Sequence, residues 1–456
     1  MNKLLNIGVG REIINPQLGA QLAGYAVEDR PARSINDDLT VTSLLIESMN
    51  EKAVIISLAI AVVEEEDANY IKSMVGKELD IDPGNVIVST IQTHSGPHTF
   101  SLWGWCDKDE SYWHNIAYPS ILKSVQEAKK NKKPCRIGIG TTQSYIGVNR
   151  RQAFEDGSIV LGQNPWGPFD PTMTVIRFVS EDGPVANIIH YGAHATSAGL
   201  NYEVTRDWPG FMIDNFEEMS GGITLFLCGA VGDVGPRLSN GKTTGNGISA
   251  AREIGVRAGY DAIKAAKEIK EFRSLDLQVL KDKIYLPYRP PAPLEVAEDK
   301  FKKLEAAGAN NMRGLEKAEY MFWKHLLEDY NNNDIKKGKY FNQTIIRIGP
   351  VTIVPFLGEP FAEIVLRVRE LSPFQYTLCS STTNGELGYF VTRDSLHRGG
   401  YEVEVAKAFM PYIFAENIDD ILLRDGRFKV KVGLPVADKQ NALAVLKHYG
   451  EKFADS

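Results

Sequence analysis

Short runs rich in β-branched residues alternate along this chain with longer amphipathic stretches, and this alternation limits the possible folds more than any other feature. Strands are predicted at 41–46, 53–59, 86–90, 174–179, 185–191, 224–228, 343–348, 351–356 and 375–380. Apolar residues at helical spacing predict helices at 67–79, 114–130, 208–219, 246–266 and 361–370. The fold class is therefore α/β, with a sheet flanked by helices.

The strands do not alternate strictly with helices, which favours a mixed sheet. Segments 344–349 and 351–354 are separated by a single residue and predict an antiparallel hairpin. Segment 290–335 opens in a proline-rich stretch, continues with charged amphipathic runs and ends in three asparagines, as expected of an inserted helical hairpin. We expect one elaborated domain over residues 1–456.

Composition narrows the range of partners and compartments. The chain is 43% apolar and 24% charged, with a formal net charge of -7, which gives no support for nucleic acid or an anionic membrane as a partner. Its four cysteines form no CxxC pair. The N-terminus lacks a signal-peptide core, and no apolar stretch approaches the roughly 20 residues of a membrane helix. These features predict a cytoplasmic protein with a small-molecule partner.

Four separated segments carry side chains that can bind a metal. They are 92–97 (QTHSGP), 194–197 (HATS), 358–360 (GEP) and 389–392 (YFVT). The first three follow β-rich runs, and strand ends at a sheet edge are where α/β proteins place functional groups. A mononuclear metal site that draws on these segments is the sharpest interpretation.

Each of these residues also has a plain structural interpretation. A lone histidine such as His94 is more often structural than catalytic, and Glu359 before Pro360 suits the start of a helix. Asp207 suits a helix N-cap, and Tyr389 beside glycines suits packing. Only the agreement between segments favours a shared site.

Segment 225–236 is an apolar strand that runs into a glycine-rich loop with one acid, Asp233. Such a loop lets the backbone approach a ligand closely and donate N–H groups to it. The segment lacks GxxxxGK[ST], which excludes a P-loop nucleotide site.

The chain resembles the neutral and alkaline non-lysosomal ceramidase family. The resemblance rests on QTHSGP, HATS, GDVGP, LGEPF and GYFVT followed by GGY, in this order, from the N-terminus to around residue 410. In that family the catalytic domain holds one zinc ion and hydrolyses the amide bond of ceramide. The resemblance implies His194, Glu359 and Tyr389 as three of the metal ligands.

The same resemblance implies further roles. Arg150, in an Asn-Arg pair, corresponds to an arginine that binds the developing oxyanion or the product carboxylate, and Tyr401 to a second active-site tyrosine. We expect His94, Arg150, Tyr401 and Asp233 to be catalytic, and Gly235 and Asp207 to contact the substrate. Without the resemblance, Arg150 would read as a solvated surface charge.

Two positions depart from the family pattern. Gln92 stands where the family's first motif has a zinc-binding histidine, and a glutamine oxygen suits zinc poorly, so the metal binds weakly, uses His94 instead, or differs. Gly235 stands where long ceramidases have a serine, which excludes serine acyl-enzyme chemistry here. The remaining route is attack by water that the metal activates.

We therefore expect a metal-dependent amidohydrolase, with zinc as its cofactor, that acts on an N-acyl or lipid-like substrate. The chain looks more like the shorter bacterial relatives, whose substrates are unassigned, than like the long ceramidases of sphingolipid metabolism. Two alternatives stay open. One is an ester or other acyl hydrolase on the same site. The other is a non-catalytic binding protein, suggested by Gln92 and Gly235 together. Trp103, Trp105, Trp113 and Trp166 lie near the motifs and could line a pocket or serve as core anchors.

Overall fold

The structure, a computed structural model, describes residues 4–25, 27, 29–245, 247–408 and 410–423. Its strands are β1 (Leu5–Ile13), β2 (Ser34–Ile35), β3 (Thr40–Glu47), β4 (Lys52–Leu58), β5 (Val86–Thr90), β6 (Lys133–Gln143), β7 (Gly147–Ala153), β8 (Ile159–Asn164), β9 (Thr172–Ser180), β10 (Gly183–Tyr191), β11 (Glu203–Val204), β12 (Ile223–Cys228), β13 (Val234–Pro236), β14 (Leu277–Pro287), β15 (Gly338–Ile348), β16 (Val351–Pro355), β17 (Glu359–Pro360), β18 (Tyr376–Ser380) and β19 (Tyr389–Phe390).

The α-helices are α1 (Glu65–Leu79), α2 (Glu110–Tyr112), α3 (Tyr118–Lys130), α4 (Asp207–Ser220), α5 (Ile248–Lys267), α6 (Leu294–Gly308), α7 (Gly314–Asn331), α8 (Ala362–Leu371), α9 (Arg393–Arg398) and α10 (Tyr401–Glu404). A π-helical turn, Trp113–Ala117, leads into α3. Short 3₁₀ turns lie at Pro83–Asn85, Ala309–Asn311 and Val405–Ala408. Among the helices in the described part of the chain, none combines the length and apolar character needed to cross a membrane.

Eight strands form the main sheet, in the order β12-β10-β9-β6-β1-β3-β4-β5. The edge pairs β10–β12 and β4–β5 are parallel and the remaining pairs are antiparallel, so the sheet is mixed, as predicted. A second sheet, β14-β15-β16-β18, contains the predicted antiparallel hairpin, β15–β16. The mixed α/β class is confirmed.

The two sheets pack face to face because their strands alternate buried side chains between two apolar layers. Ile55 and Ile176 of the main sheet share a cluster with Ile346, Ile353 and Leu378 of the second sheet. On the opposite face, alternate residues such as Ile56 and Val175 join the cluster that includes residues of α1 and α3. Burial on both faces explains why the strands read as continuous apolar runs.

The main sheet curls until its two edges approach each other. Strand β12 contacts β3, β4 and β5, and the Ser57 hydroxyl on β4 donates to the Phe226 carbonyl of β12 at 2.8 Å. Beyond the strand ends, Thr93 bridges to Ala195. The curl therefore brings the loop after β5 against the loop after β10, although the two strands lie far apart in sheet order.

The segment predicted as an insertion holds α6 and α7, between the antiparallel strands β14 and β15. The two helices contact each other, with Phe301 and Tyr320 rings stacked at 5.2 Å. Several strands had no sequence prediction, among them β1, β6, β7, β8 and β14. These strands carry glycines, charged residues or few β-branched side chains, which weaken the local strand signal.

Candidate active site

One pocket gathers residues from three of the four metal-capable segments. The fourth segment, 194–197, lies beside it, with the His194 ring next to that of His94. Its lining residues are Gly24, Tyr25, Ala61, Val62, Gln92, His94, His98, Phe100, Leu102, Trp105, Cys106, Glu359, Glu386, Tyr389, Tyr401 and Val405. The space is about 720 Å³ including its opening to solvent. The predicted residues His94, Glu359, Tyr389 and Tyr401 thus meet in one place.

His194 is fixed by its surroundings and presents one ring nitrogen to the site. Its Nδ1 lies 3.1 Å from the Val234 carbonyl oxygen, so that nitrogen is the donor and Nε2 carries the lone pair. The His194 carbonyl accepts from Trp208 Nε1 at 2.9 Å. The side chain is 1% exposed, which makes the orientation of Nε2 a property of the fold.

Two groups of opposite charge reach His194 Nε2. Arg150 Nη1 and Glu359 Oε2 each lie 3.0 Å from it. Arg150 can donate to the nitrogen, but the Glu359 oxygen faces it lone pair to lone pair and has no hydrogen-bond partner among the described residues. A proton or a cation between these two atoms would relieve this contact.

Glu359 and Tyr389 are brought side by side by a short parallel pair, β17 with β19. Glu359 opposes Tyr389 in the register of this pair. Burial, together with the charge of Glu359, raises the pKa of Tyr389 well above its usual range. The phenol is therefore neutral until a nearby positive charge stabilises its anion.

Arg150 is buried and, besides its contact with His194, makes three further hydrogen bonds. Its Nε donates to Glu402 Oε1 at 2.9 Å and its Nη2 to the Gly232 carbonyl at 2.7 Å. Its backbone N–H donates to the Asp233 carbonyl. Glu402 also pairs with Arg151 at 2.6 Å. Arg150 is thus a rigid buried cation, and its plain interpretation as a surface charge is excluded by its 6% exposure.

His94 lies beside His194, with ring centroids 5.7 Å apart. Burial, as the main cause, and then the neighbouring His194 and Arg150 lower the pKa of His94 well below its usual range, so the ring is neutral. Its loop is held by Arg30, which donates to the His94 carbonyl at 2.8 Å. Gly24 passes so close that a Cβ there would lie 2.4 Å from His94 Cβ.

Gln92 occupies a strained position at the head of the same loop. Its φ is +61°, a left-handed conformation that non-glycine residues seldom adopt and that clusters at functional sites. The residue is 1% exposed, and within the described residues its Oε1 accepts no hydrogen bond. Gln92 therefore points an available carbonyl oxygen into the pocket.

Asp233 and Asp207 are buried next to the site and hold its framework. Asp233 accepts from the Ala362 N–H at 2.7 Å and from Asn149 Nδ2 at 2.9 Å, which ties β7 to the start of α8. Asp207 accepts from the N–H groups of Ser197, Ala198 and Trp208. Neither residue lines the pocket described above. Their predicted catalytic and substrate-binding roles stay predictions.

Gly235 lies on β13, paired with Val148 of β7. A Cβ at Gly235 would lie 2.6 Å from Thr243 Cβ, so Thr243 fills the space that a serine side chain would need. The packing around Gly235 therefore leaves no room for the side chain of a serine nucleophile. Gly235 does not line the pocket, and its predicted contact with the substrate also stays a prediction.

The four tryptophans near the motifs divide between different environments. Trp105 lines the pocket, Trp113 is a core residue with no exposure, and Trp166 is 93% exposed. Trp103 stacks on His325 of α7 at 4.6 Å. His190, on β10 four residues before His194, bonds through Nε2 to the Cys379 carbonyl at 2.8 Å and is structural.

Sequence reasoning missed Glu386, Glu402, Arg30 and Tyr25. Glu402 directly follows Tyr401, and Glu386 lies three residues before Tyr389, so closeness to a predicted residue was the only signal that could have found them. Arg30 and Tyr25 lie in a segment with no motif, and their roles follow only from contacts with the His94 loop.

Comparison with known proteins bears on this arrangement. The sequence model described as neutral/alkaline non-lysosomal ceramidase, N-terminal, matches residues 5–250, more than half of the chain. The chain belongs to this ceramidase family. No curated protein matches it.

Two solved structures share the ceramidase fold. The crystal structure of neutral ceramidase from Pseudomonas aeruginosa has 18% sequence identity and a TM-score of 0.72, and the match covers 94% of this chain and 74% of that one. A ceramidase complexed with C2 has 16% identity and a TM-score of 0.72, over 94% of this chain and 75% of the other. At these identities the likeness establishes the fold.

The pocket residues can be tested for their fit to the metal that the family resemblance implies. Within residues 4–423, apart from the four positions left out above, no three His, Cys, Asp or Glu side chains form a group able to hold a metal. A site here would therefore need Tyr389 or Gln92 besides His194 and Glu359. The two facing acceptors, His194 Nε2 and Glu359 Oε2, and the free oxygen of Gln92 suit one divalent cation.

Proposed function

We propose that this protein is a metal-dependent hydrolase that cleaves an amide bond of an N-acyl substrate. The observation that carries the proposal is the contact of two buried acceptors, His194 Nε2 and Glu359 Oε2, at 3.0 Å, where Glu359 lines a pocket together with His94 and Tyr389. Membership in the ceramidase family supports the amide as the bond and a lipid-like molecule as the substrate.

His194, Glu359 and Tyr389 would hold the metal, with Gln92 as the neighbouring oxygen donor. Such an ion polarises an amide carbonyl and lowers the pKa of water. This donor set has one nitrogen and several oxygens, which makes it harder than the sites that zinc favours. Zinc would therefore bind here less tightly than at a site in which a histidine replaced Gln92.

The remaining pocket residues supply charge and proton transfer. Amide hydrolysis forms a carbon–oxygen bond from water and breaks the carbon–nitrogen bond, with a proton delivered to the departing amine. Arg150, buried and fixed, stabilises the negative charge that develops on the carbonyl oxygen. Neutral His94, whose Nδ1 has no hydrogen-bond partner within the described residues, is placed to take a proton from water and return it to the amine.

Arg150 also limits metal binding because it contacts the same His194 nitrogen. A divalent cation and the guanidinium would compete for Nε2, and their charges repel each other. The proposal therefore includes metal binding that is weaker than in a site without this arginine.

Elemental analysis tests the metal, and a substrate panel tests the bond. Protein purified without chelator or a histidine tag, alongside His194→Ala, is analysed for metal before and after dialysis against micromolar zinc or manganese. We expect about one metal per chain, lost in the variant. The absence of metal from both proteins after loading would contradict the metal-dependent hydrolase and favour a binding protein.

The same preparations are then given matched N-acyl amides and esters with identical acyl chains. Faster turnover of the amides, lost in His194→Ala and with chelator, supports the proposal. Turnover of esters alone would replace the amide assignment with an esterase.

A further inference from the structure

Polar atoms that lack a hydrogen-bond partner are concentrated in the candidate pocket. Among the described residues, thirteen buried side-chain nitrogen or oxygen atoms have none, and six of them belong to residues that line this pocket. They are Tyr25 Oη, Gln92 Oε1, His94 Nδ1, Trp105 Nε1, Glu359 Oε2 and Glu386 Oε2. Buried polar groups are normally paired, so this concentration points to a polar ligand.

Glu386 stands out among the six because it is an acid that the proposed mechanism does not use. Its Oε1 accepts from the Gly388 N–H at 2.7 Å, while its Oε2 is buried without a partner. It takes part in no ion pair within the described parts of the chain. A buried carboxylate with neither counter-ion nor full hydrogen bonding is unfavourable in its ionised form, and a bound cation would stabilise that form.

The loop that carries Glu386 is anchored on both sides, so its position is fixed. Asn384 exchanges two hydrogen bonds with Val88 of β5, one through its side chain and one through its backbone N–H. The Leu387 N–H donates to the Leu357 carbonyl, and the Glu359 N–H donates to the Gly388 carbonyl. The carboxyl group is therefore presented to the pocket by a rigid frame.

The arginines nearest the reaction centre are already committed to other partners. Arg150 bonds to Glu402, His194 and the Gly232 carbonyl. Arg151 bonds to Glu402 and to the Gly399 carbonyl. Neither guanidinium bonds to Glu386, so these two cations do not neutralise its carboxylate, and a cationic ligand could.

The acceptor that the metal leaves open indicates which donor the ligand offers. Gln92 Oε1 and Glu359 Oε2 belong to residues that would hold the metal, so Glu386 Oε2 is the acceptor in this pocket that stays open to the substrate. An alkylammonium group has three donors and no acceptor, so it complements an open carboxylate oxygen. The apolar walls, with Phe100, Leu102 and Val405, suit the hydrocarbon part of such a molecule.

We propose that Glu386 is a specificity-determining residue that binds a protonated amine of the substrate, distinct from the amide nitrogen that hydrolysis releases. The substrate class is thereby narrowed to N-acyl compounds with a free alkylammonium group. This inference rests on the proposed function for the bond that is cleaved, whereas ammonium binding itself can be measured without turnover.

Binding is tested first, by calorimetry on the full chain with butylammonium chloride and with butanol as a neutral match. Glu386→Gln keeps the shape of the side chain and the acceptor for Gly388, and removes the charge. Glu363→Gln, an exposed acid on α8, is the control. We expect butylammonium to bind wild type and the control about 10- to 100-fold more tightly than Glu386→Gln, because hydrogen bonds between charged groups have this strength.

Two outcomes would overturn the inference. One is equal binding of butylammonium to wild type and Glu386→Gln, which includes no binding to either protein. The other is butanol binding as tightly as butylammonium. If butylammonium binds as expected but the protein hydrolyses no amide, the proposed function is contradicted and the ammonium site is retained.

Hydrolysis provides the second test. N-butyryl-1,3-diaminopropane carries an ammonium group on the amine side, 4-aminobutyryl propylamide carries one on the acyl side, and N-butyrylpropylamine carries none. We expect wild type to favour one charged substrate about 10- to 100-fold in KM, with kcat little changed, and Glu386→Gln to lose this preference. The same ratio in both proteins would contradict the role of Glu386.

Discussion

Four buried acids lie around the candidate site, and they fall into two contrasting pairs. Asp207 and Asp233 have both carboxylate oxygens occupied by hydrogen-bond donors of the protein itself. Glu359 and Glu386 each keep one buried oxygen without a hydrogen-bond partner in the described residues. The first pair holds the loops together, whereas each acid of the second pair keeps one oxygen available to a ligand.

Three of these acids, Asp207, Asp233 and Glu386, share a raised pKa, although their hydrogen bonding differs. Burial raises the pKa of Asp207 to about 6 and that of Asp233 to about 7, even though backbone N–H groups oppose both shifts. Burial, and next to it the charge of Glu359, raises the pKa of Glu386 well above its usual range. Satisfied geometry therefore does not by itself keep a buried acid ionised.

The largest effect is expected at Glu359. Glu359→Gln keeps the side chain's shape but removes the charge beside His194, so we expect kcat/KM for amide hydrolysis to fall by at least about 1000-fold, as when an essential charge is removed from an active site. The thermal unfolding temperature should stay within a few degrees of wild type, because Glu359 Oε2 accepts no hydrogen bond from the residues that the structure describes. Retained turnover in this variant would remove Glu359 from the site.

Asp207 should behave in the opposite way. Asp207→Ala leaves three buried backbone N–H groups without acceptors, and we expect the free energy of unfolding to fall by about 3 kcal/mol. Denaturant unfolding followed by tryptophan fluorescence measures the loss. Asp207→Asn, which retains an acceptor oxygen, should lose less. An alanine variant as stable as wild type would show that Asp207 does not fasten the loop.

Gln92 offers a way to sharpen the metal assignment. Gln92→His adds an imidazole ligand, and histidine tolerates the left-handed backbone at this position, where φ is +61°. We expect zinc affinity to rise at least about tenfold, measured by competition with a chromophoric chelator. Gln343→His, on β15 in the second sheet and outside the pocket, is the control. Unchanged affinity in Gln92→His would place the metal away from Gln92.

The smallest effect concerns pH. Because the folded-state pKa of Asp233 is raised to about 7, its protonated form favours the native state, and that contribution is complete below its unfolded pKa of about 4. It is lost as the pH rises toward 7, at up to about 1.4 kcal/mol per pH unit. Asp233→Asn should show a shallower decline in unfolding free energy between pH 4 and pH 7.

Equal slopes for wild type and Asp233→Asn over this range would mean that Asp233 titrates at the same pH in both states. Asp207 has a shift of the same sign, so a residual slope in Asp233→Asn is expected. Asp207→Asn in the same buffers separates the two contributions.

Much of the fold follows from local sequence patterns. The predicted runs at 86–90 and 185–191 coincide closely with β5 and β10, because both are apolar, β-branched and bounded by loop residues. The predicted helix at 208–219 begins one residue later than α4, which starts at Asp207. By contrast, β6 and β7 contain glycines and arginines and owe their conformation to neighbouring strands.

The site divides in the same way. The sequence by itself determined which segments are candidates for the site, because His94, His194 and Glu359 each follow a strand whose pattern is local. It also determined that a serine nucleophile is missing at Gly235.

Only the tertiary structure decided which of these residues meet. The curl of the main sheet joins the loops after β5 and β10, and no local pattern encodes contacts between residues about a hundred positions apart. The structure alone separated the satisfied acids, Asp207 and Asp233, from the open ones, Glu359 and Glu386. A carboxylate's partners are set by packing, and the residue type is the same in either case.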